Sequence, residues 1–259
     1  MYIMQSGQRV EIESFVFSGG EVSVKVPPVV PNVYCTIVAM LRTPEDVMKL
    51  LMVKDALDQQ LNAGLVSLNM PYIPYARQDR VCNFGEAFSL KVFCNLINSC
   101  NFETVWVQDP HSDVAPALLN NIAITSSSSI VESDRHVWRK YEGATIISPD
   151  AGANKKVASL CKVLGKDTFI RADKVRDLST GQITSTVVYC DDLKGQDCLI
   201  VDDICDGGRT FIELGKALKA KGAGNVGLYV THGIFSKGKE VFDNSIDDVY
   251  SHNDWTETK

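Results

Sequence analysis

The sequence has no CxxC pair, although it contains eight cysteines, at positions 35, 82, 94, 100, 161, 190, 198 and 205. Without that spacing a zinc site is not expected. Most of the cysteines lie in apolar runs and read as small core residues. No apolar stretch reaches the ~18 residues that a transmembrane helix needs. No basic tract stands out, and Lys+Arg number 26 against 32 Asp+Glu, a formal net charge of -6. A broad nucleic-acid footprint is therefore not expected. A polyanionic substrate would need a site that is basic locally, against the global balance. No signal peptide is in view, so a reducing cytoplasm is the expected compartment. There is no strong internal repeat.

What is present is ordinary globular material, 45% apolar and 22% charged over 259 residues. That length suits one large α/β domain or two small ones with a real core. Residues 21–26 (EVSVKV) alternate as a half-buried strand does. Residues 34–40 (YCTIVAM) read as a buried strand. Residues 43–62 have helical spacing, with Thr43 as N-cap, Glu45 and Asp46 in the first turn, and Gly64 as the stop. A strand over 65–70, the loop PYIPYARQDR, a helix over 89–98 and a strand over 105–107 follow. The last strand ends at Asp109-Pro110-His111. After a polar break (Asn120-Asn121, then Ser126 to Ser129) the pattern restarts, and the domain boundary is expected at 125/126. Strands are expected at 144–147, 168–170, 198–201 and 226–230, and helices at 155–164 and 211–221. Strands alternating with helices predict parallel sheets, whose ligands sit at the carboxyl ends of the strands.

One such end reads CLIVDDICDGGRTF, residues 198–211. A helix N-terminus offers unpaired N–H groups to an anion, and glycines let backbone approach a phosphate. Carboxylates can accept hydrogen bonds from ribose hydroxyls or hold Mg2+ and its waters. A pentose phosphate fits both halves of this string.

The string V-D-D-x-x-D-G-G-x-T resembles the phosphoribosyl-diphosphate motif of type I phosphoribosyltransferases. FSGGEVSV, PYIPYARQDR, DPHSD, SPDAG and THGIFS stand in the order found in ribose-phosphate diphosphokinases, and the resemblance covers roughly residues 15–237. It implies a tandem of two type I phosphoribosyltransferase-like α/β domains, 1–125 on the ATP side and 126–259 on the ribose-phosphate side. Each would be a mainly parallel sheet flanked by helices. The implied reaction moves the β,γ-diphosphate of ATP to the anomeric hydroxyl of ribose 5-phosphate, with Mg2+ as cofactor. It also implies Phe17, Glu21, Arg77, Gln78, Asp79 and His111 at the ATP, and His111 and Asp150 at the metal. Asp150, Asp202, Asp203, Asp206, Gly207, Gly208, Arg209 and Thr210 are implied at the sugar phosphate. His111, Lys174 and Arg176 are implied as catalytic, the last two on a flexible loop that closes over ATP. A homo-oligomer, dimer or higher, is expected, and neither nucleic acid nor membrane as partner.

The sequence departs from that pattern at several points. The family's phosphate loop reads close to D-T-G-G-T, whereas this loop is Asp206-Gly207-Gly208-Arg209-Thr210. Arg209 brings a forked cation where the family has none. Such a loop would suit a phosphate that carries something further, such as the diphosphate of ADP-ribose, or Arg209 simply turns outward. Gly19 replaces an acid in the adenine segment, and Ala153-Asn154-Lys155-Lys156 replaces a glycine-and-apolar stretch. The chain ends soon after Asp247-Asp248, so the family's closing strand and helix are expected to be absent. Two other readings are a phosphoribosyltransferase that consumes the activated sugar and a non-catalytic regulator. PYARQDR and His111 belong to the ATP side and speak against the first. The presence of Lys174, Arg176 and His111 speaks against the second.

Overall fold

The computed structural model describes residues 1–61, 65–176 and 183–256, without the side chains of 131–132, 175–176 and 183–185. The chain divides into two units, Met1–Thr125 and Ser126–Lys259.

The first unit opens with two hairpins, of which sequence periodicity revealed only the strand expected at 21–26. Strands β1 (Tyr2–Gln5) and β2 (Gln8–Glu11) pair antiparallel across Ser6-Gly7. Both turn residues have positive φ (51° and 76°), the twist that a two-residue hairpin requires. Strands β3 (Glu13–Val16) and β4 (Val22–Lys25) form a separate two-stranded sheet. Then follow β5 (Cys35–Val38), α1 (Pro44–Asp58), β6 (Val66–Asn69), α2 (Ser89–Ser99), β7 (Val105–Gln108), α3 (Val114–Leu118) and β8 (Ile122–Thr125). The sheet order is β2-β1-β5-β6-β7-β8, and β5 to β8 run parallel. Helix α1 starts where expected. Thr43 Oγ1 accepts the Asp46 N–H (3.1 Å) and Asp46 Oδ2 accepts the Thr43 N–H (2.9 Å), a reciprocal cap worth about 1 kcal/mol. It ends at Asp58, sooner than its spacing suggested. Gln60 leaves the helix to accept the Val29 N–H with its side chain (3.1 Å). The expected stop, Gly64, lies outside the described residues.

The second unit begins with α4 (Ser127–Ser133) and α5 (Arg135–Lys140), so the serine run is helical. It continues through β9 (Thr145–Ser148), α6 (Asn154–Val163), β10 (Ile170–Arg176), β11 (Ile183–Val188), β12 (Cys198–Cys205), α7 (Arg209–Ala220), β13 (Val226–Gly233) and β14 (Asp248–Asp254). The order is β11-β10-β9-β12-β13-β14, parallel except for the β10–β11 hairpin. Strand β14 is one that sequence periodicity did not reveal. Its sequence, DVYSHND, is too polar to read as one, but it pairs with β13 over most of its length.

Strand β12 has the apolar run that burial on both faces demands. Cys198 and Ile200 pack with Leu214 and Leu218 of α7. Leu199 and Val201 pack with Val157 and Leu160 of α6. Burial pushes the Cys198 thiol up to about 11, as it does for Cys94 in the other unit. Both thiols stay protonated and unreactive, which agrees with cysteines used as core residues. No helix of the described residues is long and apolar enough to cross a membrane.

Candidate active site

The alternation that fills the core of the second unit also aims its acids. The sequence suggested that β12 stops before Asp202, but its ladder continues to Cys205. A period of two therefore sends Asp203 to the α6 face and Asp202 to the opposite one. Asp203 is only 5% exposed. Lys156, in the first turn of α6, meets it with Nζ 3.1 Å from Oδ2. Asp202 Oδ1 accepts the N–H of Asp203 (2.9 Å). Part of Asp202 meets solvent, while its carboxyl is set within the protein. Loss of water, and then the negative charge of Asp203, raises that carboxyl well above the usual carboxylate range.

Asp150 follows β9. Its Oδ1 accepts the Ala153 N–H (3.1 Å), and its Oδ2 meets Lys174 Nζ at 2.7 Å. Burial pushes this carboxyl up, but the lysine and the Ala153 and Gly152 N–H groups outweigh it and hold it below its ordinary range. Lys174 and Arg176 were expected on a loop. They lie on β10, which pairs with β11 opposite Thr186 and Ile183. The Arg176 side chain lies outside the described residues. Three carboxyls and two ammonium groups thus gather at the carboxyl ends of β9 and β12. Lys156 was missed as a site residue, because only its position in α6 opposite β12 reveals it.

The glycine turn follows. Gly208 has φ +76°, and a Cβ there would lie 2.5 Å from Phe242 Cζ. A side chain is excluded twice, by conformation and by contact. Gly208→Ala is expected to cost about 2–4 kcal/mol in urea unfolding, from the left-handed backbone and the displaced ring. A cost under about 1 kcal/mol would mean that the turn tolerates a side chain. Past Gly208, the first N–H groups of α7 have no intrahelical acceptor and can serve an anion. Arg209 and Thr210 occupy that first turn, with Arg209 exposed and without an ion-pair partner among the described residues.

In the first unit, the loops after β6 and β7 meet. Asp79 is 6% exposed, and Arg80 grips it with two hydrogen bonds, Nε–Oδ1 at 2.8 Å and Nη2–Oδ2 at 3.3 Å. That grip, with the Ser112 hydroxyl and the nearby His111, holds the Asp79 carboxyl below its usual range. Arg77, Gln78 and His111 are exposed. Asp109 is buried with φ +39°, a conformation that costs free energy in a non-glycine residue and recurs at functional strand ends. Phe17 and Glu21 close the β3–β4 turn, where the Phe17 N–H donates to the Glu21 carbonyl (2.8 Å). The Phe17 ring is 52% exposed.

Acids at the carboxyl ends of parallel strands, a left-handed glycine turn and a helix N-terminus define a protein of the type I phosphoribosyltransferase class. Comparison with known proteins narrows the class. Residues 120–257 match the model of the phosphoribosyl transferase domain, and residues 5–100 that of the N-terminal domain of ribose phosphate pyrophosphokinase. The ribose-phosphate pyrophosphokinase of Shewanella oneidensis is 30% identical over 236 residues, which are 90% of this chain and 74% of that protein. The one of Campylobacter jejuni is 31% identical over 222 residues, 85% and 71%. The fold is that of the phosphoribosylpyrophosphate synthetase of Mycobacterium smegmatis, with a TM-score of 0.75 at 22% identity over 87% of this chain and 73% of that one. The chain belongs to the ribose-phosphate pyrophosphokinase family.

Proposed function

We propose that the protein transfers the β,γ-diphosphate of ATP to the anomeric hydroxyl of a ribose 5-phosphate group. The sugar hydroxyl gives up its proton to water as its oxygen bonds to the β-phosphorus, the bond from that phosphorus to the α-phosphate oxygen breaks, and AMP leaves with that oxygen's electron pair. The observation that carries this reading is the group of Asp150, Asp202 and Asp203 with Lys156 and Lys174 beside the glycine turn. The acids suit ribose hydroxyls, the turn and helix N-terminus suit the 5′-phosphate, and Lys174 suits the moving diphosphate. Arg77, Gln78, Asp79, His111, Phe17 and Glu21 are assigned to ATP, and Arg176 to the diphosphate. Diphosphate transfer of this kind depends on positioning and charge neutralisation more than on covalent help from the protein.

Asp150 would hold Mg2+. The described residues contain no group of three or more acids, His or Cys that could hold an ion. Mg2+ commonly takes one or two carboxylates and completes its shell with phosphate oxygens and water. The ion would neutralise charge on the diphosphate, and His111, in the first unit, is assigned separately to the ATP phosphates and a metal there. The exposed apolar side chains of Phe15, Val16 and Phe17 on one hairpin support assembly into a homo-oligomer.

Two acceptors fit, ribose 5-phosphate and a 5′-extended form such as ADP-ribose. The second is favoured by the exposed Arg209 and the bare Gly207 in the phosphate turn. The deciding assay is AMP formation from ATP and Mg2+ with each acceptor separately. AMP with ribose 5-phosphate alone makes the turn a monophosphate site with Arg209 facing away. AMP with ADP-ribose alone makes Arg209 part of a diphosphate site. AMP with neither would overturn the transfer reading in favour of a regulatory homologue.

A further inference from the structure

A lysine that no motif singled out lies over the phosphate turn. The segment after β13 is tied back to the end of β12, since the Ile234 and Phe235 N–H groups donate to the Cys205 carbonyl (2.8 and 3.2 Å). Phe235 is buried and meets Phe242 edge-on, at 6.3 Å between centroids, and Phe242 packs on Gly208. The segment is thereby anchored beside the glycine turn. A Cβ built on Gly207 would find Lys237 Cδ and Cε at 3.7 Å and Ser236 Oγ at 3.8 Å. The lysine stem therefore runs along the face of the turn where a side chain of residue 207 would stand. Its ammonium lies one bond beyond Cε. Nearby Lys239 is already committed, to the Asp254 carboxylate and the Phe235 ring. Lys237 is exposed, and its ammonium has no hydrogen-bond or ion-pair partner among the described residues. An unpaired cation beside free helix N–H groups is suited to a phosphate dianion.

We propose that Lys237 is a phosphate-binding and specificity-determining residue of the acceptor site. The inference rests on the reading of the turn as the acceptor site. The ligand is a phosphate on the 5′ carbon of a ribose, either the first phosphate or a second one attached to it.

The test is calorimetric binding of ribose 5-phosphate and of ADP-ribose to the whole protein and its variants, alongside AMP release. Lys237→Met is expected to weaken the acceptor that the wild type binds by about tenfold or more. The loss should fall on KM more than on kcat. Lys237→Arg should recover most of the affinity. A greater loss with ADP-ribose than with ribose 5-phosphate assigns Lys237 to the second phosphate, and an equal loss assigns it to the first. Binding of both acceptors by Lys237→Met within about twofold of wild type overturns the inference, as does equal loss in Lys237→Arg. Wild-type protein that binds an acceptor yet releases no AMP would overturn the transfer reading alone, with Lys237 still testable by affinity.

Discussion

Replacing Lys174 with alanine is expected to lower AMP release by roughly a hundredfold or more while the protein stays folded. The two halves of that expectation have separate causes. Lys174 is held by backbone, in register with Thr186 across the β10–β11 ladder, and alanine keeps those bonds. Its ion pair with Asp150 is not sealed, for the Asp150 side chain is 34% exposed. Water can take the place of the ammonium, so the loss in stability should be under about 1 kcal/mol. The rate is another matter. Charge that builds on the diphosphate as the P–O bond breaks needs a positioned cation, and removing one such group commonly costs a hundredfold to a thousandfold, about 3–4 kcal/mol. His111→Ala should behave alike on the ATP side, since His111 is exposed and supports no core. Thermal unfolding and AMP release measured on the same samples separate the effects. Near-normal turnover in both variants would mean that the ATP site lies elsewhere.

Much of this site could be read in the sequence because its motifs are local. The string from Cys198 to Phe211 contains strand, acids, glycine turn and helix start in order, and the order is what the fold uses. Strand β12 ran longer than its apolar letters because Asp202 and Asp203 remain in a ladder whose partners, on β13, are fixed by sheet pairing. Periodicity cannot see such a partner. Strand β14 was missed for the same reason. So was the position of Lys174 on a strand, since β10 is shaped by its hairpin partner and not by an apolar run. Lys156 stood out only as part of a departure from the family pattern, and Lys237 carries no signal in one dimension. One is found only by knowing that α6 covers the Asp203 face, the other only by knowing that the segment after β13 folds back over Gly207.

The acid pair carries a conflict between stability and binding, and Asp202→Asn exposes it. Asp202 shares its surroundings with the acid next to it in the chain, and of the two only Asp203 has a lysine partner among the described residues, Lys156 at 3.1 Å. Its carboxyl is raised well above the usual range by burial and by Asp203. A raised carboxyl opposes folding. The folded protein retains a proton that the unfolded chain releases near its ordinary pKa of ~3.9, so stability declines as pH rises above that value and continues to decline up to the folded-state pKa. Asp150 acts in the other direction. Its lowered carboxyl contributes stability that is present above the ordinary pKa and is lost as pH falls through the folded value. Asparagine at 202 keeps the oxygen that accepts the Asp203 N–H and removes the titrating group. The variant should therefore be more stable than wild type at pH 7 by about 1–3 kcal/mol, with a gap that narrows towards pH 4. The same change should weaken the acceptor by about tenfold or more, because a carboxylate accepts ribose hydroxyls better than an amide does. Urea unfolding across that pH range, with acceptor binding at pH 7, reads both. Parallel stability curves for wild type and variant would mean that the Asp202 carboxyl is hydrated like any surface acid, and that the site holds its ribose without stored electrostatic strain.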